Sequence, residues 1–185
     1  MADLPPASAS PAVPVVETAR LRLRGHVPTD LDAATAMWAD REVTRYTGNR
    51  AFTREETWAR LLRYTGNWCW FGYGFWAVEE IETNAYVGQL GIAEFARETT
   101  PPLGDLPEVG WSFVVAAHGR GFASEGVRAA LAWADANIAA ARTMCLIDPA
   151  NVASIRVARR CGFVEVAPVV YKGSRSLRFE RQRGA

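Results

Sequence analysis

Between Thr18 and Arg24 apolar and basic residues alternate as Ala-Arg-Leu-Arg-Leu-Arg, the period of a half-exposed β-strand. The period then changes. Leu31, Ala34, Met37 and Trp38 recur at helical spacing behind a capping-box pattern of Thr29 and Asp32, and Trp58, Leu61 and Leu62 do so behind a second box, Thr53 with Glu56. Between these helices, Tyr46-Thr47-Gly48-Asn49 reads as a loop whose aromatic faces either core or ligand. Tyr73 to Val78 and Tyr86 to Ile92 are aromatic and β-branched runs flanking Glu82-Thr83-Asn84, which predicts an antiparallel hairpin. Residues 96–107, with Pro101, Pro102 and Gly104, form a long loop of the kind that often serves as a lid. A further strand-like run from Leu106 ends in a glycine-bearing turn that leads into a helix to about Ile138, with Val127, Leu131 and Ala134 on one face. Thr143 to Ile147 reads as a buried strand, and Asp148-Pro149-Ala150-Asn151 turns the chain into another helix, capped at Cys161-Gly162. Phe163 to Val166 and Leu177 to Phe179 supply the last strands. Strands alternating with helices, plus a hairpin, predict a mixed sheet with helices on both faces.

Composition narrows this picture. Residues 1–15 are Ala, Pro and Ser with hardly any charge and are expected to be a disordered leader, leaving residues 16–185 as one domain. A formal net charge of +1 gives no reason to expect a nucleic-acid or membrane partner. Lys172 is the only lysine, which argues against a Walker-type nucleotide loop and against most Schiff-base chemistry. Cys69, Cys145 and Cys161 lack a CxxC pair and are expected to be buried free thiols; two histidines, His26 and His118, are too few to suggest a structural zinc site, so no metal is expected. No apolar run is long enough to span a bilayer and no secretory pattern opens the chain, so a cytoplasmic location is expected. Seven tryptophans imply either a flat-walled pocket or a heavy core.

The turn His118-Gly-Arg-Gly-Phe-Ala123, followed by Ser124, carries the chemistry. Small residues let backbone N–H groups approach an anion, and the positive end of the following helix favours a phosphate there. Arg120 and Arg156 are candidates for added side-chain charge.

Four segments together resemble the GNAT superfamily of N-acetyltransferases, and within it the branch of the ribosomal-protein N-terminal acetyltransferases RimJ and RimL. They are Glu17-Thr-Ala-Arg-Leu-Arg-Leu-Arg24, Glu108-Val-Gly-Trp111, His118-Gly-Arg-Gly-Phe-Ala123, and Asn151-Val-Ala-Ser-Ile-Arg156 with Gly162-Phe163. The resemblance implies an α+β fold in α/β/α layers, a single domain with a mixed, mostly antiparallel sheet. It implies acetyl-CoA as acyl donor, an amine acceptor (a small molecule or a protein N-terminus), direct attack in a ternary complex, and a monomer or homodimer. Implied cofactor contacts are Phe113, His118, Gly119, Arg120, Gly121, Phe122, Ala123, Ser124, Asn151, Ser154 and Arg156. Glu108 is the candidate base, with Glu94 and Asp105 as competing carboxylates, and Ser154 and Tyr171 are candidates to protonate the leaving thiolate. Tyr46, Tyr73, Trp76 and Trp111 are candidate walls of the acceptor pocket, or core. Two positions depart from the family pattern. His118 stands where arginine or glutamine is usual, and Ala158 where many members carry a tyrosine acid. The alternative to an enzyme is a non-catalytic acyl-CoA-binding regulatory module. No acyl-cysteine is expected, since Cys145 falls in the buried strand.

Overall fold

The computed structural model describes residues 12–185. In chain order its strands and helices are β1 (Val16–Glu17), β2 (Leu21–Arg24), α1 (Leu31–Ala39), α2 (Arg41–Thr44), α3 (Arg54–Phe71), β3 (Phe75–Glu80), β4 (Ala85–Ala93), β5 (Thr99–Thr100), β6 (Glu108–Phe113), α4 (Phe122–Asn137), β7 (Arg142–Ile147), α5 (Val152–Arg160), β8 (Val164–Glu165), β9 (Val169–Tyr171) and β10 (Ser174–Gln182). The strands form one sheet in the order β1-β2-β3-β4-β6-β7-β10-β9-β5, with β8 beside β10. Every pairing is antiparallel except β6 with β7, which is parallel.

Helices cover both faces. On one, Ala34 of α1 and Leu61 and Tyr64 of α3 pack with Phe75 and Ala93. On the other, Val127, Ala130, Leu131 and Ala134 of α4 join Leu21, Leu90, Val109, Phe113 and Phe179 in the main core. Three of the tryptophans settle as core: Trp68, Trp76 and Trp133 meet edge to face, with centroids 4.8–5.4 Å apart, while Trp58 and Trp70 are exposed.

Local chemistry explains most element ends. Thr53 and Glu56 form the expected capping box at the start of α3, and Gly72 closes that helix at φ 73°. The box expected at Thr29 and Asp32 does not form. Asp30 is the buried carboxylate instead, accepting from Arg24 Nη1 and Nη2 at 2.8 and 2.7 Å and from Val27 N at 2.9 Å. Burial opposes its charge, but these donors together with His26 hold the Asp30 carboxyl far below the usual range.

Two further expectations shift. Residues 1–11 of the expected leader lie outside the described residues, while Val13 packs on the main core and the Pro14 carbonyl accepts the Trp76 indole N–H at 2.8 Å. The loop over 96–107 carries β5, which pairs with β9 and ties the loop to the β9–β10 hairpin. Cys69, expected to be buried like Cys145 and Cys161, is exposed.

Candidate active site

β6 and β7 start together and then part. Their register pairs Glu108 with Met144, and Met144 N donates to Pro107 O at 3.0 Å. No later β6 residue has a partner on β7. On its other side β6 pairs with β4 along its whole length, and Val114 N donates to Val87 O at 3.0 Å. Backbone groups alternate sides along a strand, so Ser112, Gly110 and Glu108 bond toward β4. The Trp111 N–H and C=O and the Phe113 N–H therefore turn into the gap, past the bridge at Glu108. An extended ligand with amides can add itself to that edge as a strand would.

The glycine turn stands at the C-terminal end of β6. A 3-10 turn at Val115–Ala117 leads to Gly119 at φ 75° and Gly121 at φ 82°, and Gly121 is the N-cap of α4 with no side chain to occupy the helix's first N–H groups. The His118 ring Nε2 lies 3.0 Å from Phe113 O. A carbonyl only accepts, so Nε2 is the N–H donor and braces the turn against the strand end. Arg20 supports the same turn from β2's approach. Its Nη1 donates to Arg120 O at 2.9 Å, while its Nε and Nη2 hold Glu125 at 2.8 and 2.5 Å. Burial would raise the Glu125 carboxyl, but Thr18 and Arg20 overcome this and keep it below its ordinary value. Sequence reasoning missed Arg20 and Glu125 as a site support; their pairing spans 105 residues.

The expected cofactor residues divide by what they can offer. Phe113, Phe122 and Ser124 are buried, so their main chains are the available groups; Ser124 O accepts the Cys161 thiol at 3.8 Å. Ala123 is half-buried against the core. Arg120 does not point its charge at the turn: its guanidinium pairs with Glu80 and lies 4.3 Å over the Phe122 ring. Asn151 caps α5, accepting from Ser154 N at 3.0 Å, and both residues are half-buried; Arg156 is exposed.

At the opposite end of β6, Glu108 is 6% exposed and both its oxygens take bonds from Arg97, Nη2 at 2.7 Å and Nε on the other oxygen. The Arg97 guanidinium also lies 4.8 Å from the Phe95 ring and 4.7 Å from the Tyr171 ring. So two expected catalytic residues, Glu108 and Tyr171, meet through an arginine that carried no motif. Tyr171 and Arg97 line an open cleft of about 470 Å³, together with Phe95, Glu98, Val170 and Lys172 among others, and Glu108 reaches it only through Arg97. Tyr73 donates to Glu94 beside this region, and burial, then that bond, push its hydroxyl pKa upward.

Trp76 is not a pocket wall. It is 0% exposed and sits in the tryptophan cluster. Trp111 is half-buried against the main core, and Tyr46 sits in the turn after α2 with Arg45 over its ring. Burial pushes the Cys145 and Cys161 thiols up, away from the reactive thiolate. Among the described residues no group of three His, Cys, Asp or Glu could hold a metal ion, and no helix is long and apolar enough to cross a membrane.

Comparison with known proteins places the chain in a family. The family model described as acetyltransferase (GNAT) domain matches residues 20–164. The uncharacterized protein YkkB of Bacillus subtilis (strain 168) is 32% identical over 149 residues, covering 78% of this chain and 82% of YkkB. A crystal structure of an acetyltransferase from Agrobacterium tumefaciens str. C58 is similar with a TM-score of 0.80 and 26% identity, over 92% of this chain and 95% of that one. The fold is also shared with the spermidine N-acetyltransferase of Vibrio cholerae, solved with CoA and spermine, at a TM-score of 0.70 and 16% identity, over 90% of this chain and 97% of that one. With the family model spanning most of its length, the chain belongs to the GNAT acetyltransferase family.

Proposed function

We propose that this protein transfers an acetyl group from acetyl-CoA to a primary amine, with donor and acceptor bound together. The observation that carries the reading is the open edge of β6, with an uncapped glycine turn at one end and, beyond the Arg97–Glu108 pair, an open cleft at the other. The five steps from Glu108 to Phe113 span roughly 17 Å at about 3.3 Å each. On this reading the pyrophosphate sits on the N–H groups at the start of α4, and the pantetheine arm runs back along Phe113 and Trp111. The thioester then lies toward Glu108.

Direct attack on the thioester carbonyl needs the acceptor amine un-ionised, and Glu108 is the residue proposed to take its proton, directly or through a water. Both Glu108 oxygens hold Arg97, so one of those bonds must be shared or released as the proton arrives. A backbone N–H on the open edge, that of Phe113 or Trp111, would face the developing oxyanion, an interaction worth about 3 kcal/mol in such sites. Ser154 and Tyr171 are the groups proposed to return a proton to the thiolate. Within the family, the Glu17–Arg24, Glu108–Trp111 and Asn151–Arg156 segments favour the RimJ and RimL branch, which makes a protein N-terminal amine the first acceptor to try. The polyamine named with the Vibrio cholerae structure makes a second.

Thiol release from acetyl-CoA, followed with ribosomal-protein N-terminal peptides, polyamines and amino acids, tests this. Amine-dependent release with a matching amount of N-acetyl product is expected for at least one class. Coenzyme A binding without release across the panel would instead indicate a regulatory binding module.

A further inference from the structure

Lys172 is the chain's single lysine among 21 basic residues, so every other site that wanted a cation has arginine. Its position is not explained by the turn it occupies. Lys172 and Gly173 form the tip of the β9–β10 hairpin at φ 49° and 76°, where the tight turn favours Asn-Gly and a long side chain gains nothing. It is explained by what the tip faces. Lys172 lines the same cleft as Arg97 and Tyr171, and its Nζ lies 5.5 Å from the centre of the Tyr171 ring. That same ring carries the Arg97 guanidinium, which holds both oxygens of Glu108 at the start of β6. A primary amine is thus tethered on the cleft wall, linked through the Tyr171 ring and then the Arg97 guanidinium to the carboxylate proposed to serve the reaction. The arginines around it cannot act in its place, since a guanidinium keeps its proton and its charge.

We infer that Lys172 is an acetyl acceptor of the protein's own reaction, a self-modification site at the mouth of the acceptor cleft. The inference rests on the acetyl-transfer reading above. The ammonium releases one proton to water, the Nζ lone pair attacks the thioester carbonyl carbon, and a new C–N bond replaces the C–S bond. Coenzyme A departs as thiolate and takes up a proton. The net change is lysine ammonium plus acetyl-CoA giving N-acetyl-lysine, free coenzyme A thiol and one proton. Tethering raises the effective concentration of this amine far above that of a dilute acceptor. The product is neutral, so the hairpin tip loses its charge over Tyr171 and the cleft the one ammonium among its described lining residues.

Intact-mass and peptide mass spectrometry of the full chain incubated with acetyl-CoA reads the outcome, the peptide map separating the one lysine from the N-terminal amine. One acetyl group on Lys172 is expected, forming at least about tenfold faster in the folded protein than in the same protein held in urea. It should be absent in Lys172→Arg, which keeps the charge, and slowed in Glu108→Gln. Equal rates in folded and unfolded protein would mark spontaneous chemistry and overturn the inference. So would an unmodified Lys172 in a preparation that acetylates an added amine, and that result would leave the acetyl-transfer reading standing. If neither Lys172 nor any added amine is acetylated although coenzyme A binds, the acetyl-transfer reading itself fails and the inference falls with it.

Discussion

Valine in place of Gly88 is expected to lower the urea midpoint of unfolding by about 1 M and to weaken coenzyme A binding in the same protein. Gly88 lies on β4 opposite Phe113, directly after Val87, the residue left without a β3 partner where the register shifts. A Cβ there would stand 2.5 Å from Ser112 O and 2.9 Å from Phe113 Cα. Those are backbone atoms of a central strand, which cannot swing aside as a side-chain tip can. Overpacking of this kind costs roughly 1–3 kcal/mol and more where main chain must move. The movement falls on the residue whose N–H faces the gap, so stability and cofactor affinity should fall together. A Gly88→Val protein with an unchanged midpoint and unchanged coenzyme A affinity would contradict the close approach of β4 to β6.

Glu108→Gln is expected to reduce amine acetylation by about 100-fold, the lower range for losing a general base. Coenzyme A affinity should change by less than about threefold, because the substitution sits at the far end of β6 from the anion turn. Some stability is lost as well. Breaking a fully buried ion pair costs about 3–5 kcal/mol, but the Arg97 side chain keeps 22% exposure and can turn to water, so about 1–2 kcal/mol is expected. Arg97→Gln separates the two roles. If the pair only braces the loop, both variants lose similar stability and retain turnover. If Glu108 handles the proton, Arg97→Gln keeps substantially more activity than Glu108→Gln.

What could be read in the sequence was local. The glycine turn, Asn151 and Gly162 act through backbone conformation within a few residues, so spacing alone points to them. The hairpin of β3 and β4 was legible for the same reason. Arg97 with Glu108, and Arg20 with Glu125, were not legible as pairs, because folding brings them together across 11 and 105 residues without a spacing rule. Trp76 took the core alternative because β3 is buried on both faces, and alternation then says nothing about which aromatic meets a ligand. The box at Thr29 lost to Asp30 because Arg24, on a neighbouring strand, chooses between adjacent polar residues. Arg120 lies in the motif, yet Glu80 captures its side chain, so the motif's contribution there is main chain.

The central claim is that the turn ending at Gly121 receives the phosphates of coenzyme A, and titration calorimetry of coenzyme A into the wild-type chain and Gly121→Val tests it most directly. Gly121 sits at φ 82°, a conformation a β-branched residue avoids, while its Cβ position meets only Arg20 Nη2 at 3.5 Å. The strain, about 1–3 kcal/mol, should be relieved by reshaping the turn, raising the coenzyme A Kd tenfold or more with the far-ultraviolet circular dichroism unchanged. Equal affinity in the two folded proteins, or no binding by the wild type, would contradict the account.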